Sequence, residues 1–308
     1  MAEITYDAKT VMKNPYPQIK KLGAVNRAGE MTPFVWKGRL MRMELWDDSK
    51  GTDNSAPSFA SIRDVQTGKI ISNVGHGGYF FSAYVEDDTV YVLCVGRKQK
   101  DTIYIHKSTD LIQWESRILL QRPGWNYFNT ALTKGPDGYV LILEAGDPEE
   151  YVGVKFTFFF ATSPDLVHWT HMDPNKGYSK ERYCGGLWMR YVDGWYYVIA
   201  VTELPCQRYT NYIYRTKDFD TWYVGYYNPI LISDNDDRKI SPNCTETDPA
   251  FFENLKTGFN ISNSDIDMCD WNGKTYMNYL VGNQLGFYYM AEAEYDGTVA
   301  ELLASYFE

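Results

Sequence analysis

Two aspartates separated by a single isoleucine stand near the C-terminal end of the chain, in Ser264-Asp265-Ile266-Asp267-Met268. Successive side chains of a β-strand alternate between faces, so Asp265 and Asp267 are expected on one face and Ile266 on the other. Two like charges on one face cost energy unless a substrate, a cation or a hydrogen-bond network uses them. A carboxyl pair can do acid–base work. Hydrolysis of a glycoside uses one carboxyl to protonate the leaving oxygen and a second to activate water or attack the anomeric carbon; inverting pairs stand roughly 6.5–9.5 Å apart so that the water fits. Glu144 joins the candidates, ending the apolar run Tyr139–Leu143 six residues after Gly138. Glu44 stands six residues after Gly38, which gives the two glutamates equivalent places in a repeat. A carboxylate that ends an apolar strand is costly to bury alone. The structural alternative is a pair with an arginine such as Arg42. Glu30, ahead of Met31-Thr32-Pro33, and Glu203, ending a further apolar strand, complete the set. Asp265, Asp267, Glu144 and Glu30 are the expected catalytic groups; Glu44 and Glu203 are expected to contact substrate.

Other side chains suit ligand contact. His76 lies in Gly75-His76-Gly77-Gly78, where glycines let backbone approach a ligand; capping a turn is the plainer role. Trp188 and Arg190 alternate onto one face of Gly186-Leu187-Trp188-Met189-Arg190-Tyr191. An arginine can clamp a hydroxyl or a carboxylate, and a tryptophan can floor a sugar ring. Trp46, Trp125 and Trp188 are the first platforms to examine. The five cysteines are odd in number and include no C-x-x-C pair, which argues against a zinc site and a disulfide framework. No cofactor or metal is expected. No phosphate-binding loop, dinucleotide fingerprint, H-E-x-x-H or G-x-S-x-G pattern occurs.

A repeat must position these groups. Ser108–Trp114, Ser163–Trp169 and Thr216–Trp222 share the pattern [ST]-x-D-[LF]-x-x-W, with their aspartates 55 and 53 residues apart. Each follows an apolar strand. A second element, a tight turn feeding a strand, occurs five times, beginning at Lys37, Asp87, Pro136, Val192 and Trp271. About four strands in ~50 residues is the pattern of a propeller blade. The expected fold is all-β, a five-bladed β-propeller of four-stranded antiparallel blades, in a single domain over residues 1–308. The blades are placed at roughly 26–75, 76–125, 126–182, 183–235 and 236–308, with residues 1–25 as an N-terminal arm across the disc. The corner aspartates are expected to accept turn N–H bonds and the tryptophans to plug the gaps between blades. Thr298-Val299-Ala300-Glu301 fits a capping box for a short terminal helix.

Composition narrows the partners. The 26 Tyr, 15 Phe and 9 Trp suit both strands and sugar-binding surfaces. A net charge of −10 without a basic run argues against nucleic acid. It also disfavours polyanions, although a local arginine could override it. No apolar stretch approaches the ~20 residues of a membrane span, and the start lacks a secretion-signal pattern. The protein is expected to be cytoplasmic, with no membrane partner. A homo-oligomer stays open.

The corner motif at blade spacing resembles the five-bladed propeller glycosidases, glycoside hydrolase families 43, 32, 62, 68 and 117. Asn263–Asp270, Asn272–Tyr276 and Gly282–Gln284 resemble a branch of family 43/117-like proteins, as do Asn129-Thr130-Ala131 with Glu144, and Leu187 to Tyr197. The resemblance covers roughly residues 26–308. It implies carboxylates at the starts of the innermost strands, lining a central funnel. Family 43 places a base on blade one, a pKa-modulating Asp on blade three and an acid Glu on blade four. Here those positions hold Glu30-Met31-Thr32-Pro33, Asn129 and Gly185-Gly186, so the family's triad does not transfer. Asn129 is expected to contact substrate instead. The resemblance implies a hydrolase of glycosides or oligosaccharides that works with inversion, and a chain with no residues to spare for a wide cleft suits removal of a terminal sugar over internal cleavage. A non-catalytic carbohydrate-binding propeller is the alternative, favoured by the missing triad.

Overall fold

The computed structural model describes residues 16–47, 58–283 and 285–308. The tight turns anticipated from sequence do fold the chain into successive hairpins. Lys37-Gly38, Asp87-Asp88, Asp193-Gly194 and Asn272-Gly273 all take positive φ at both central residues, the geometry whose twist matches antiparallel strands. The third turn differs. Pro136 cannot take positive φ, so this hairpin turns through Pro136-Asp137 and its glycine, Gly138, falls one place later, as the first paired residue of the returning strand.

Five four-stranded antiparallel sheets result. Blade one comprises β2 (Met31–Trp36), β3 (Arg39–Asp47), β4 (Ser58–Asp64) and β5 (Ile70–Val74). Blade two comprises β6 (Gly78–Glu86), β7 (Thr89–Gly96), β8 (Thr102–Ser108) and β9 (Glu115–Gln121). Blade three comprises β10 (Asn126–Gly135), β11 (Gly138–Asp147), β12 (Thr157–Ser163) and β13 (Thr170–His171). Blade four comprises β14 (Gly185–Val192), β15 (Trp195–Leu204), β16 (Arg208–Thr216) and β17 (Trp222–Val224). Blade five has β18 (Ser262–Trp271), β19 (Lys274–Gly282) and β20 (Tyr288–Tyr295), and takes its fourth strand, β1 (Ile19–Asn26), from the N-terminal end. This corrects the expected arm over residues 1–25. Residues 19–26 are not laid across the disc but pair with β20, from Ile19 against Tyr295 to Asn26 against Met290, and their backbone bonds close the ring. Residues 1–15 of that arm lie outside the described residues.

The corner motif does what its residue types suggest. Asp110 Oδ1 accepts from the backbone N–H of Ile112 and Gln113, both at 2.8 Å. Asp165 and Asp218 repeat the arrangement one blade and two blades along. Trp114, Trp169 and Trp222 pack into successive apolar layers between blades. Burying such layers between sheets is the main stabilising term of the fold. A short helix, α1 (Glu149–Val152), follows β11; α2 (Pro249–Thr257) precedes β18; α3 (Val299–Ser305) ends the chain behind the predicted Thr298–Glu301 capping box. No helix among the described residues is long and apolar enough to cross a membrane.

Candidate functional site

The innermost strands bring their first residues together at one mouth of the central channel, and four of them are bulged there. In β6, β10, β14 and β18 two residues face one on the next strand, at Phe80-Phe81, Phe128-Asn129, Gly186-Leu187 and Asp265-Ile266. The first residue of three of these bulges has positive φ: Phe80 52°, Gly186 55° and Asp265 49°. A bulge re-aims the side chains of its strand. Simple alternation of Asp265 and Asp267 therefore fails, because the bulge lies between Ser264 and Asp267. Both aspartates nevertheless line the same cleft, and Ile266 lines it with them.

Glu30, Asp265, Asp267 and Asn129 share this cleft, which has a volume of about 20 Å³, room for roughly one water. Glu144 stands directly behind. Its Oε2 accepts from Asn129 Nδ2 and from the Gly186 backbone N–H, both at 2.9 Å. Glu30 Oε2 accepts from the Phe81 N–H at 2.7 Å. Thr32 donates to Asp267 Oδ2 at 2.5 Å, and Ser264 donates to Asp265 Oδ2 at 2.6 Å. All four expected catalytic carboxyls thus lie within electrostatic reach of one another.

Their protons are held tightly. Burial pushes Glu144 up to about 7, against the pull of the Asn129 and Gly186 donors and with the Asp265 charge assisting. Burial and the Asp265 charge also lift Asp267 to about 7, against the Thr32 hydrogen bond. Glu30 is raised well above the ordinary glutamate range, first by burial and next by the Asp265 charge. Asp265 is raised by burial and eased by Ser264. Asp265 is the charge the other three respond to.

The glycines at the blade-four position explain why no carboxylate sits there. A Cβ on Gly186 would lie 2.4 Å from Asp265 Oδ1 and 2.5 Å from Val201 Cγ2. A Cβ on Gly185 would lie 2.7 Å from Glu144 Oε1. The position gives up a side chain so that carboxylates from blades three and five can meet over it.

Other expected contacts fall elsewhere. Glu44 is not the counterpart of Glu144. The displaced glycine of the Pro136 turn makes Arg39 the partner of Trp36 where Gly138 is the partner of Gly135, so Glu44 corresponds to Leu143 and faces the opposite side of its blade. There it is fully buried and accepts from Arg42 Nε at 2.9 Å and Arg63 Nε at 2.8 Å. His76 is exposed, against the Phe59 ring and away from the cleft. Trp188 is buried in the layer between blades four and five. Arg190 lies with it at the far side of the channel, where both line a second cavity of about 240 Å³ that reaches Asp267 from below. Neither floors or clamps anything at the carboxylate mouth. Glu203 stands on a groove between blades three and four, with Tyr183 and Tyr209. Trp125 is core, and Trp46 packs against a small apolar cluster.

Sequence reasoning missed the rings that do surround the mouth. They are phenylalanines and tyrosines rather than tryptophans. Tyr79, Phe80, Phe128, Phe156, Tyr183 and Tyr209 follow one another with centroids 4.3–5.5 Å apart. Burial and the charges of Glu144 and Asp265 push the Tyr183 phenol up, which fixes its place beside the cluster. Local sequence offers no signal for this arc, since its members come from three blades. Among the described residues no group of three or more His, Cys, Asp or Glu side chains is spaced to hold a metal ion.

Several solved glycoside hydrolases share this fold. The catalytic domain of the family 62 α-L-arabinofuranosidase of Coprinopsis cinerea matches over 93% of this chain and 99% of its own, at 8% identity and a TM-score of 0.62. The α-L-arabinofuranosidase of Podospora anserina, solved with cellotriose, matches 92% of this chain and 99% of its own at 8% identity and a TM-score of 0.59. A family 43 protein of Bacillus licheniformis matches 89% of this chain and 54% of its own at 13% identity and a TM-score of 0.56. At such identities the likeness is one of fold. No family model and no curated protein matches the sequence.

Proposed function

We propose that the protein is a glycoside hydrolase that removes a terminal sugar from a glycoside or oligosaccharide, with Asp265 as base and Glu30 as acid. The observation that carries this reading is the meeting of four carboxyls from three blades, Glu144 buried and Glu30, Asp265 and Asp267 partly so, with unequal hold on their protons. Groups whose surroundings push their proton affinities apart divide into acid and base. Asp265 carries the charge that raises its neighbours, so it suits proton abstraction. Glu30, raised well above the ordinary range, keeps its proton for the leaving oxygen. Glu144 and Asp267, both near 7, set the field around the pair. The water-sized cleft supports attack by water, and so inversion, over a covalent glycosyl intermediate. Its small size supports action on a terminal sugar seated at the mouth. The likeness in fold to arabinofuranosidases and a family 43 protein supports the same reaction class.

The rival, a binding propeller without turnover, is favoured by Asn129 and Gly186 standing where family 43 has carboxylates. A screen with aryl glycosides and oligosaccharides, run beside binding measurements, separates the two. Turnover by the wild type that falls at least a thousandfold in Asp265→Asn is the expected result. Asparagine tolerates the positive φ at this position, so the variant should keep its melting temperature within a few degrees. Full activity in Asp265→Asn would remove that residue from the mechanism, and binding without turnover across the screen would leave the rival standing.

A further inference from the structure

The groove on which Glu203 stands has a volume of about 680 Å³, within the ~300–1,000 Å³ of small-molecule sites. Its walls are the segments that lead into β12 and β14, the end of β15 and the start of β16, so it opens on the same face as the carboxylate cleft. The two sites share a boundary. Tyr183 lines the groove two residues before Gly185, the glycine that packs against Glu144. The charges of Glu144 and Asp265 reach the Tyr183 phenol from the cleft, and that of Glu203 reaches it from the groove. Phe156, Tyr183 and Tyr209 line the groove in succession, with centroids 5.4 and 5.5 Å apart, and carry the arc of rings outward from the mouth.

Backbone bonds hold the floor in place. The Cys184 N–H donates to the Phe156 carbonyl at 2.8 Å and the Val154 N–H to the Lys180 carbonyl at 2.9 Å, which ties the segment before β12 to the one before β14. The Tyr209 N–H donates to Ser262 Oγ at 3.1 Å, which anchors the third ring to blade five. Phe156 holds a φ of 66°, a region that bulky residues enter at a cost. Rings fixed in this way lose little freedom when a ligand covers them, and their faces suit the apolar C–H face of a sugar ring. The charges on the walls cancel: Lys155 and Arg182 stand against Glu181 and Glu203, all four exposed. The two cations donate, the two carboxylates accept, and the Gln207 amide does both. Such a set matches sugar hydroxyls, which donate and accept, and offers no surplus charge to an acidic chain.

We infer that this groove binds a neutral oligosaccharide, seating on its three rings the units that follow the terminal sugar. Placing those units on the leaving side of the cleaved bond rests on the hydrolase reading; the binding of a neutral chain across the rings does not. The carboxylate cleft has room for roughly one water, so chain length must be recognised outside it. A chain leaving the mouth meets Tyr183 first and Tyr209 last. The overall charge of −10 repels polyanions, and the balanced walls of the groove do not offset it. The ligand that fits is a neutral chain of several units, in preference to a simple glycoside.

The test is calorimetric titration of the full chain carrying Asp265→Asn, which leaves the ligand uncleaved. The probes are mono- to tetrasaccharides of xylose, arabinose, galactose and glucose, with galacturonic acid as the acidic series. In at least one neutral series affinity should rise about tenfold from monosaccharide to trisaccharide, the worth of one or two stacked rings. Adding Tyr209→Ala should remove that rise. Adding Arg182→Gln, an exposed change that spares the packing, should cut it about threefold, and it carries the test should the alanine variant not fold. Flat affinity in every neutral series overturns the proposal, as does a rise that survives in either variant or one confined to galacturonic acid. The hydrolase reading is tested apart, by turnover of the same compounds in the wild type. A wild type that cleaves none of them while the Tyr209-dependent rise persists defeats that reading and leaves this one intact; cleavage with no gain from length does the reverse.

Discussion

Replacing Glu144 by glutamine should stabilise the protein at alkaline pH and weaken its chemistry. Glu144 is 2% exposed, and burial lifts its carboxyl from 4.5 to about 7. Each pH unit of such a displacement is worth about 1.4 kcal/mol, so the full displacement is worth roughly 3 kcal/mol. The sign follows from proton counting. Below pH 4.5 the carboxyl is protonated in the folded and the unfolded chain alike, and no penalty applies. Between 4.5 and about 7 the unfolded chain releases the proton while the folded one keeps it, so stability falls as pH rises. Above about 7 the penalty is complete. Glutamine is neutral throughout, and its carbonyl can still accept from Asn129 and Gly186. At roughly 2 °C per kcal/mol for a domain of this size, Glu144→Gln should melt about 5 °C higher than wild type at pH 8 and within about 1 °C of it at pH 4. Scanning calorimetry of both proteins at pH 4, 6 and 8 measures this. A variant no more stable than wild type at pH 8 would show that the native fold already compensates an ionised Glu144, and that the residue is a structural anion.

Gly186→Ala should cut turnover at least a hundredfold in kcat assays. The new methyl would strike Asp265 Oδ1 and Val201, at a φ of +55° that alanine resists; unchanged activity would mean that the Asp265 carboxyl is not held where we place it. Glu44→Ala should behave in the opposite manner. It leaves Arg42 and Arg63 without their shared carboxylate, at a cost of about 3–5 kcal/mol in denaturant unfolding, while activity per folded molecule stays at the wild-type level.

The propeller was legible because its corner is short, local and repeated. Each Ser/Thr-x-Asp turn satisfies its own N–H groups, so the residue types suffice to announce it. The closing strand was not legible. Ile19–Asn26 pairs with Tyr288–Tyr295 across almost the whole chain, and no turn joins them to leave a mark in sequence. At the site, the four carboxyls were visible as acids placed at strand ends, where burial is expensive and hence informative. Their geometry was not. The bulges at Phe80 and Asp265 put non-glycine residues at positive φ, which no composition rule anticipates. The aromatic arc depends on which blades are neighbours, so it becomes visible only once the ring has closed.

Glu44 and Glu144 show how the same residue type, one register step apart, comes to opposite uses. Both are buried carboxylates at the end of an apolar strand. Glu44 meets two guanidinium groups, which match its charge and leave it nothing to exchange. Glu144 meets an amide and a backbone N–H. Such donors fix the orientation of a carboxyl but bring no full positive charge, so desolvation stays largely uncompensated and the proton stays bound near neutral pH. A hydrolytic site needs that second kind of neighbour. It is supplied here by Asn129, Phe81, Thr32, Ser264 and the Gly186 backbone, all of them uncharged. Arg190 reaches Asp267 from the far side of the channel, where it moderates the field and forms no ion pair with any of the four carboxyls. Keeping arginine out of the mouth is therefore the condition on which the proposed acid–base division between Glu30 and Asp265 depends.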